Sequence, residues 1–81
     1  MKIKYFAWIK EITSSDEEEI NLSELNSLDK LKIFITKKYP DLQKHLDKEI
    51  LRFAVNQEYV EGNIKLNPSD EIAIFPPVSG G

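Results

Sequence analysis

The chain opens with alternation at period two. In Lys2-Ile3-Lys4-Tyr5-Phe6-Ala7-Trp8, Ile3, Tyr5 and Ala7 fall on one side and Lys2, Lys4, Phe6 and Trp8 on the other, which predicts a first strand. After the polar turn Thr13-Ser14-Ser15-Asp16, the segment 17–22 alternates Ile20 and Leu22 with polar neighbours and predicts a second strand, its acidic start suited to a protected sheet edge. The period then changes to 3.6. Ser27 is placed to cap a helix, Asp29 sits in its first turn, and Leu28, Leu31, Phe34 and Ile35 form its apolar stripe up to Pro40. A short helical turn carrying Leu42 and Leu46 is expected within 41–48.

Period two returns at 52–56, with Phe53 and Val55 inward. Tyr59-Val60 and 64–66 flank the turn signal Glu61-Gly62-Asn63 and read as short strands. Beyond the turn cluster Asn67-Pro68-Ser69-Asp70, residues 71–75 predict a last strand with Ile72 and Ile74 inward. Pro76 and Pro77 end it because neither can donate a ladder hydrogen bond. The order β, β, α, β, short β pieces, β is satisfied by an α+β fold in which one main helix covers one face of a mixed sheet. With the first and last strands side by side in the middle, this is the ubiquitin-like β-grasp. Residues 1–75 then form the domain and 76–81 an extended tail. Phe6 and Phe75 lie out of phase with the core residues of their strands, so the open sheet face should carry an aromatic patch.

Eighty-one residues suffice for one domain of this kind and leave little room for a deep catalytic cavity. The absence of cysteine excludes disulfides, thiolate catalysis and a side-chain persulfide. A net charge of −3 lacks the basic field on which nucleic-acid binding depends. No apolar run approaches the roughly 20 residues of a membrane span, so a cytoplasmic protein is expected. His45 has no second histidine with which to build a metal site and reads as a surface residue. Consecutive residues of the Glu17-Glu18-Glu19 run point to opposite faces, which favours a solvated edge over a cation site. Tyr5, Trp8 and Tyr39 read as packing residues.

The chemistry concentrates at the end of the chain. Past Phe75, the residues Pro76-Pro77-Val78-Ser79-Gly80-Gly81 span at most roughly 20 Å when extended, enough to enter another protein's active site. The prolines stiffen the exit and reduce the entropy lost on insertion, while the glycines pass a narrow channel and take any backbone conformation at the reacting centre. The terminal carboxylate resists attack at carbon. Once it is joined to the α-phosphate of ATP by a partner enzyme, it gains a good leaving group and accepts a sulfur or amine nucleophile. A bare diglycine would equally describe a frayed tail. Phe-Pro-Pro-Val leading into it without a spacer is what separates the two.

Lys4-Tyr5-Phe6-Ala7, Lys10-Glu11-Ile12, Ala54-Val55-Asn56-Gln57 and the closing stretch from Asp70 to Gly81 together resemble the small subunit of molybdopterin synthase, a β-grasp sulfur-carrier family. The resemblance covers essentially the whole chain, and Phe-Pro-Pro-Val-Ser-Gly-Gly is its specific part. It implies that Gly81, preceded by Gly80, is adenylated by an E1-like enzyme using ATP and converted to a thiocarboxylate. The tail then enters the large subunit, where its sulfur builds the molybdopterin dithiolene. The chain would be a non-catalytic subunit of a pairwise heterotetramer with no cofactor or metal of its own. The resemblance places partner contacts on Phe6, Lys10, Tyr59, Phe75, Pro76, Pro77, Val78 and Ser79. Lys10 stands where the family often has arginine and lacks its bidentate pairing. The same tail chemistry would serve a thiamine-pathway sulfur carrier or a ubiquitin-like protein modifier, and the aromatic face alone would serve a β-grasp interaction module with an inert tail.

Overall fold

The first and last strands meet in the middle of the sheet. In the computed structural model, which describes residues 1–77, strand β1 (Lys2–Tyr5) runs parallel to β5 (Glu71–Phe75), with Ile3 beside Ile72 and Tyr5 beside Ile74. Strand β2 (Glu17–Glu19) pairs antiparallel with β1, β3 (Arg52–Val55) with β5, and β4 (Glu58–Val60) with β3, giving the order β2-β1-β5-β3-β4. Helix α2 (Leu28–Lys38) follows a short helix α1 (Ile9–Thr13) in sequence and covers one face. A 3-10 turn at Pro40–Leu42 leads into α3 (Gln43–Asp47), the helical turn expected there. This is the expected β-grasp, a mixed sheet under one main helix.

Alternation decides which face is buried. Ile3, Tyr5, Phe53, Ile72 and Ile74 point to the helix side and are nearly inaccessible, and Leu28, Leu31, Ile35 and Leu42 meet them from above. Each fully buried aliphatic side chain of this kind contributes roughly 1.5–3 kcal/mol. The start of α2 is doubly capped: Ser27 Oγ accepts from the Lys30 amide at 3.3 Å, as its position predicts, and Asn63 Oδ1 accepts from the Asp29 amide at 2.9 Å.

Three expected strands are shorter than their patterns. The first stops at Tyr5 and not Trp8, because Ala7 takes a left-handed φ of 54° and the Ile9 amide turns back to the Phe6 carbonyl. Trp8 becomes the residue preceding α1 and lies against His45, ring centroids 4.6 Å apart. His45 is therefore half-buried and not a plain surface residue, its Nδ1 enclosed without a hydrogen-bond partner. The second strand stops at Glu19; Ile20 is buried as expected, whereas Leu22 is exposed. Residues 64–66 form no strand. Lys65 makes only an isolated bridge to Ser27, since Gly62, at φ 73°, and Asn63 turn the chain toward the start of α2 and away from β4.

The acidic edge is also not uniformly solvated. Glu17 and Glu19 face outward, but Glu18 shares the helix side with Ile3 and accepts hydrogen bonds from the Tyr5 hydroxyl (2.7 Å), the Tyr39 hydroxyl and the Lys38 ammonium. Partial burial pushes its carboxyl up. The bonds from Lys38, Tyr39 and Tyr5 outweigh that and hold it below the usual carboxylate range. Burial and the same carboxylate push the phenols of Tyr5 and Tyr39 up. These tyrosines pack edge to face, and they also use their hydroxyls.

A second polar clamp holds the β3–β4 turn onto the start of β5. Asn56 and Gln57 both take positive φ, 52° and 71°, as a primed two-residue hairpin turn requires. The Asn56 amide group donates to Asp70 Oδ1 and its Oδ1 accepts from the Glu71 amide, both at 3.0 Å, while buried Asp70 also accepts from the Asn67 amide. Asn56→Ala removes a donor from a buried carboxylate and places an alanine in the left-handed region. It is expected to cost about 2–3 kcal/mol in denaturant unfolding. A cost below roughly 0.5 kcal/mol would show that the clamp contributes little.

Candidate functional site

The outward sides of the strands divide the open face into two halves. Toward β2 it is charged and internally paired, with Lys2 Nζ 3.6 Å from Glu17 and Lys4 Nζ 3.5 Å from Glu71. Exposed pairs of this kind add little stability. Toward β4 the face is apolar. Tyr59 stands opposite Ala54, which stands opposite Ala73, and Phe75 closes the row beyond. The two alanines are too small to fill the space between the aromatic rings. A shallow depression of about 620 Å³ results, floored by Ala54 and Ala73 and walled by Phe6, Tyr59, Phe75 and the prolines.

Tyr59 is 73% exposed and Phe6 44% exposed, although both are large and apolar. Tyr59 and Phe75 pack edge to face with centroids 5.4 Å apart, an arrangement that aromatic pairs favour. The Phe6 amide donates to the Ile74 carbonyl at 3.1 Å, so Phe6 is held beside the last turn of the β1–β5 ladder. Immediately beyond, Pro76 and Pro77 line the same depression. The chain therefore leaves β5 along the margin of this depression.

Of the residues singled out from sequence, Phe6, Tyr59, Phe75, Pro76 and Pro77 are brought together. Lys10 is not: it lies on α1 with its ammonium 3.7 Å from Asp16 and does not line the depression. Val78, Ser79, Gly80 and Gly81 lie outside the described residues. Ala7, Ala54, Gln57 and Ala73 also line the depression and were not anticipated. The out-of-phase position of Ala54 between Phe53 and Val55 was a usable signal, since it puts a small residue on the face opposite the core. Among the described residues, no group of three His, Asp or Glu side chains could hold a metal ion, and no helix is long and apolar enough to cross a membrane.

Comparison with known proteins matches residues 3–81 to the model of the ThiS family. The chain belongs to the ThiS family. Among relatives in this family, the molybdopterin synthase sulfur carrier subunit of Dictyostelium discoideum is 42% identical over 87 residues, covering 99% of this chain and 94% of that protein. The human protein of the same name is 41% identical over 85 residues, covering 100% of this chain and 93% of its own. A solved structure from Pyrococcus furiosus, described as a putative molybdopterin converting factor, subunit 1, superposes with a TM-score of 0.78 at 32% identity, covering 95% of each chain. The family match runs through Gly81 and so includes the diglycine.

Proposed function

We propose that this chain is the sulfur carrier subunit of a molybdopterin synthase and works through Gly81. The observation that carries this reading is an aromatic depression whose margin is lined by Pro76 and Pro77, and the family match that continues to the terminal diglycine supports it. Relatives that share nearly the full length bear the same function in their names.

In this mechanism the Gly81 carboxylate attacks the α-phosphate of ATP on an E1-like partner, and pyrophosphate leaves. A sulfur nucleophile then displaces AMP from the acyl carbon and leaves a thiocarboxylate. The chain supplies no acid, base or metal for either step; those come from the partner. On the large subunit the thiocarboxylate sulfur is transferred to the pterin, and water returns the tail to a carboxylate. One carrier holds one sulfur, so a dithiolene consumes two loaded carriers. The depression binds the large subunit, Val78 and Ser79 thread its channel, and Gly80 and Gly81 reach its pocket, with the chain cytoplasmic throughout.

The test is intact-mass measurement of the chain incubated with its activating enzyme, ATP and a sulfur donor. Exchange of one oxygen for sulfur at the C-terminal residue is expected, whereas an unchanged mass would remove the proposal. Gly81 found instead in isopeptide linkage to lysines of other proteins would reassign the chain as a modifier.

The depression supports a separate prediction. Phe6→Asp places a charge on the wall of the apolar depression while disturbing little of the core, because Phe6 is already 44% exposed. Affinity for the large subunit is expected to fall at least about 30-fold, the scale of a central aromatic anchor, with melting temperature changed by only a few degrees. Calorimetric titration would measure it. Unchanged affinity would place the contact elsewhere.

A further inference from the structure

The large hydrophobic side chains that remain exposed fall into two groups. Phe6 and Tyr59 belong to the open sheet face, while Leu22, 44% exposed, and Ile33, 56% exposed, belong to the far side of the molecule. There, Leu22, Leu25, Ile33 and Phe34 form an apolar depression of about 750 Å³ along the outer stripe of α2. Ile33 and Phe34 each lie three or four residues from both Lys30 and Lys37, which puts the four on one side of the helix, with Lys30 and Lys37 two turns and about 10 Å apart. Among the described residues neither Lys30 nor Lys37 has an ion-pair partner. Lys38, next in sequence, is already committed to Glu18. The rim therefore carries unneutralised positive charge on a chain whose net charge is −3, with Glu24 the one acidic residue at its margin.

Leu25 and one side of Phe34 serve the core, but the outward parts of this surface, Leu22 and Ile33 above all, have no packing partner that explains them. Ile33 would be replaced by a polar residue at no cost to the core, since the stripe that packs inward is Leu28, Leu31 and Ile35. An apolar strip framed by like charges two turns apart is complementary to a second amphipathic element with the opposite charge. We propose that the outer stripe of α2 is a docking surface for an acidic amphipathic segment of a partner protein. Its apolar side chains would seat between Leu22, Ile33 and Phe34, and its carboxylates would meet Lys30 and Lys37. Because α2 and the aromatic depression lie on opposite sides of the sheet, such a partner binds while the depression and the tail are engaged elsewhere. The docking itself does not depend on sulfur chemistry.

The full chain, labelled with nitrogen-15, would be titrated with a synthetic helical peptide of about 16 residues bearing a Leu/Phe stripe flanked by glutamates. A matched peptide with lysines in place of the glutamates serves as control. Saturable shifts confined to Leu22, Ile33, Phe34 and their neighbours are expected, weakening with salt and absent with the lysine peptide. Lys30→Glu combined with Lys37→Glu should weaken binding about tenfold or more, Ile33→Asp comparably, and Phe6→Asp not at all. These positions are exposed, so the variants keep the fold. No saturable binding, equal binding of both peptides, or shifts centred on Phe6 and Tyr59 would overturn the proposal. So would self-association of the chain through Ile33, which makes the occupant a second copy, or binding to anionic lipid vesicles in preference to the acidic peptide.

Discussion

A chain lacking Gly81 should accept no sulfur and support no dithiolene formation, while unfolding at the temperature of the intact chain. The two halves of this expectation have separate causes. In the proposed function the reacting carbon belongs to the last residue, so truncation moves the carboxyl back by about 3.5 Å and substitutes the carboxyl of Gly80 for it. Positional errors far smaller than this remove most of the rate gained by aligning reactants. The folded body is indifferent, because its core ends with Ile74 and its sheet pairing with Phe75 opposite Arg52. One alanine appended after Gly81 should fail in the same way, since the carboxyl is displaced outward by the same distance. Mass spectrometry for the oxygen-for-sulfur exchange and a thermal melt suffice to measure both halves. Sulfur transfer by the truncated chain would place the reactive group somewhere other than the C-terminus, and a large fall in melting temperature would give the tail a structural role.

Much of this architecture is visible in the chain because it rests on local alternation with one buried face. Ile72 and Ile74 could only point toward the helix once Glu71, Ala73 and Phe75 pointed away, and the same parity put Phe6 and Phe75 on the open side. Ser27 was legible because a helix start needs a side-chain acceptor at that position. What stayed hidden depends on contacts distant in sequence. The first strand is cut short by a left-handed Ala7, and no local preference asks for φ of 54° at an alanine. The run 64–66 has the composition of a strand, but Asn63 is taken up by the Asp29 amide 34 residues earlier in sequence, and the chain follows it. In the depression, sequence pointed to the aromatic walls and missed the alanine floor. The parity of Ala54 put a small residue on the open face, but only the antiparallel register, which sets Ala54 and Ala73 opposite each other, makes the two a floor.

Glu18 was misread for the same reason, and it carries the largest expected effect on stability. Glu18→Ala should cost about 2–4 kcal/mol at neutral pH, a fall of about 10–20 °C in melting temperature. Tyr5 is 1% exposed, so losing the carboxylate leaves its hydroxyl without its acceptor inside the fold, and Lys38 and Tyr39 lose their partner together. Glu18→Gln keeps one acceptor but turns an amide group toward donors, and should fall between the two. Removing a stranded donor as well, in Glu18→Ala with Tyr39→Phe, should recover part of the loss, because the second change removes a hydroxyl that no longer has a partner. The pH dependence has a definite sign. The carboxyl is held below its ordinary value in the folded chain, so its contribution is complete above the unfolded value of roughly 4.3 and is lost as pH falls through the lower folded value. On acidification below about pH 5 the intact chain should therefore lose stability faster than Glu18→Gln, and parallel curves would show that this carboxyl does not couple to folding. The cluster lies on the helix side of the sheet, away from the aromatic depression, so the Glu18 variants should still accept sulfur at temperatures where they remain folded. Fold without transfer in the chain lacking Gly81, and transfer with a weakened fold in Glu18→Ala, would together separate the body that presents the tail from the tail that reacts.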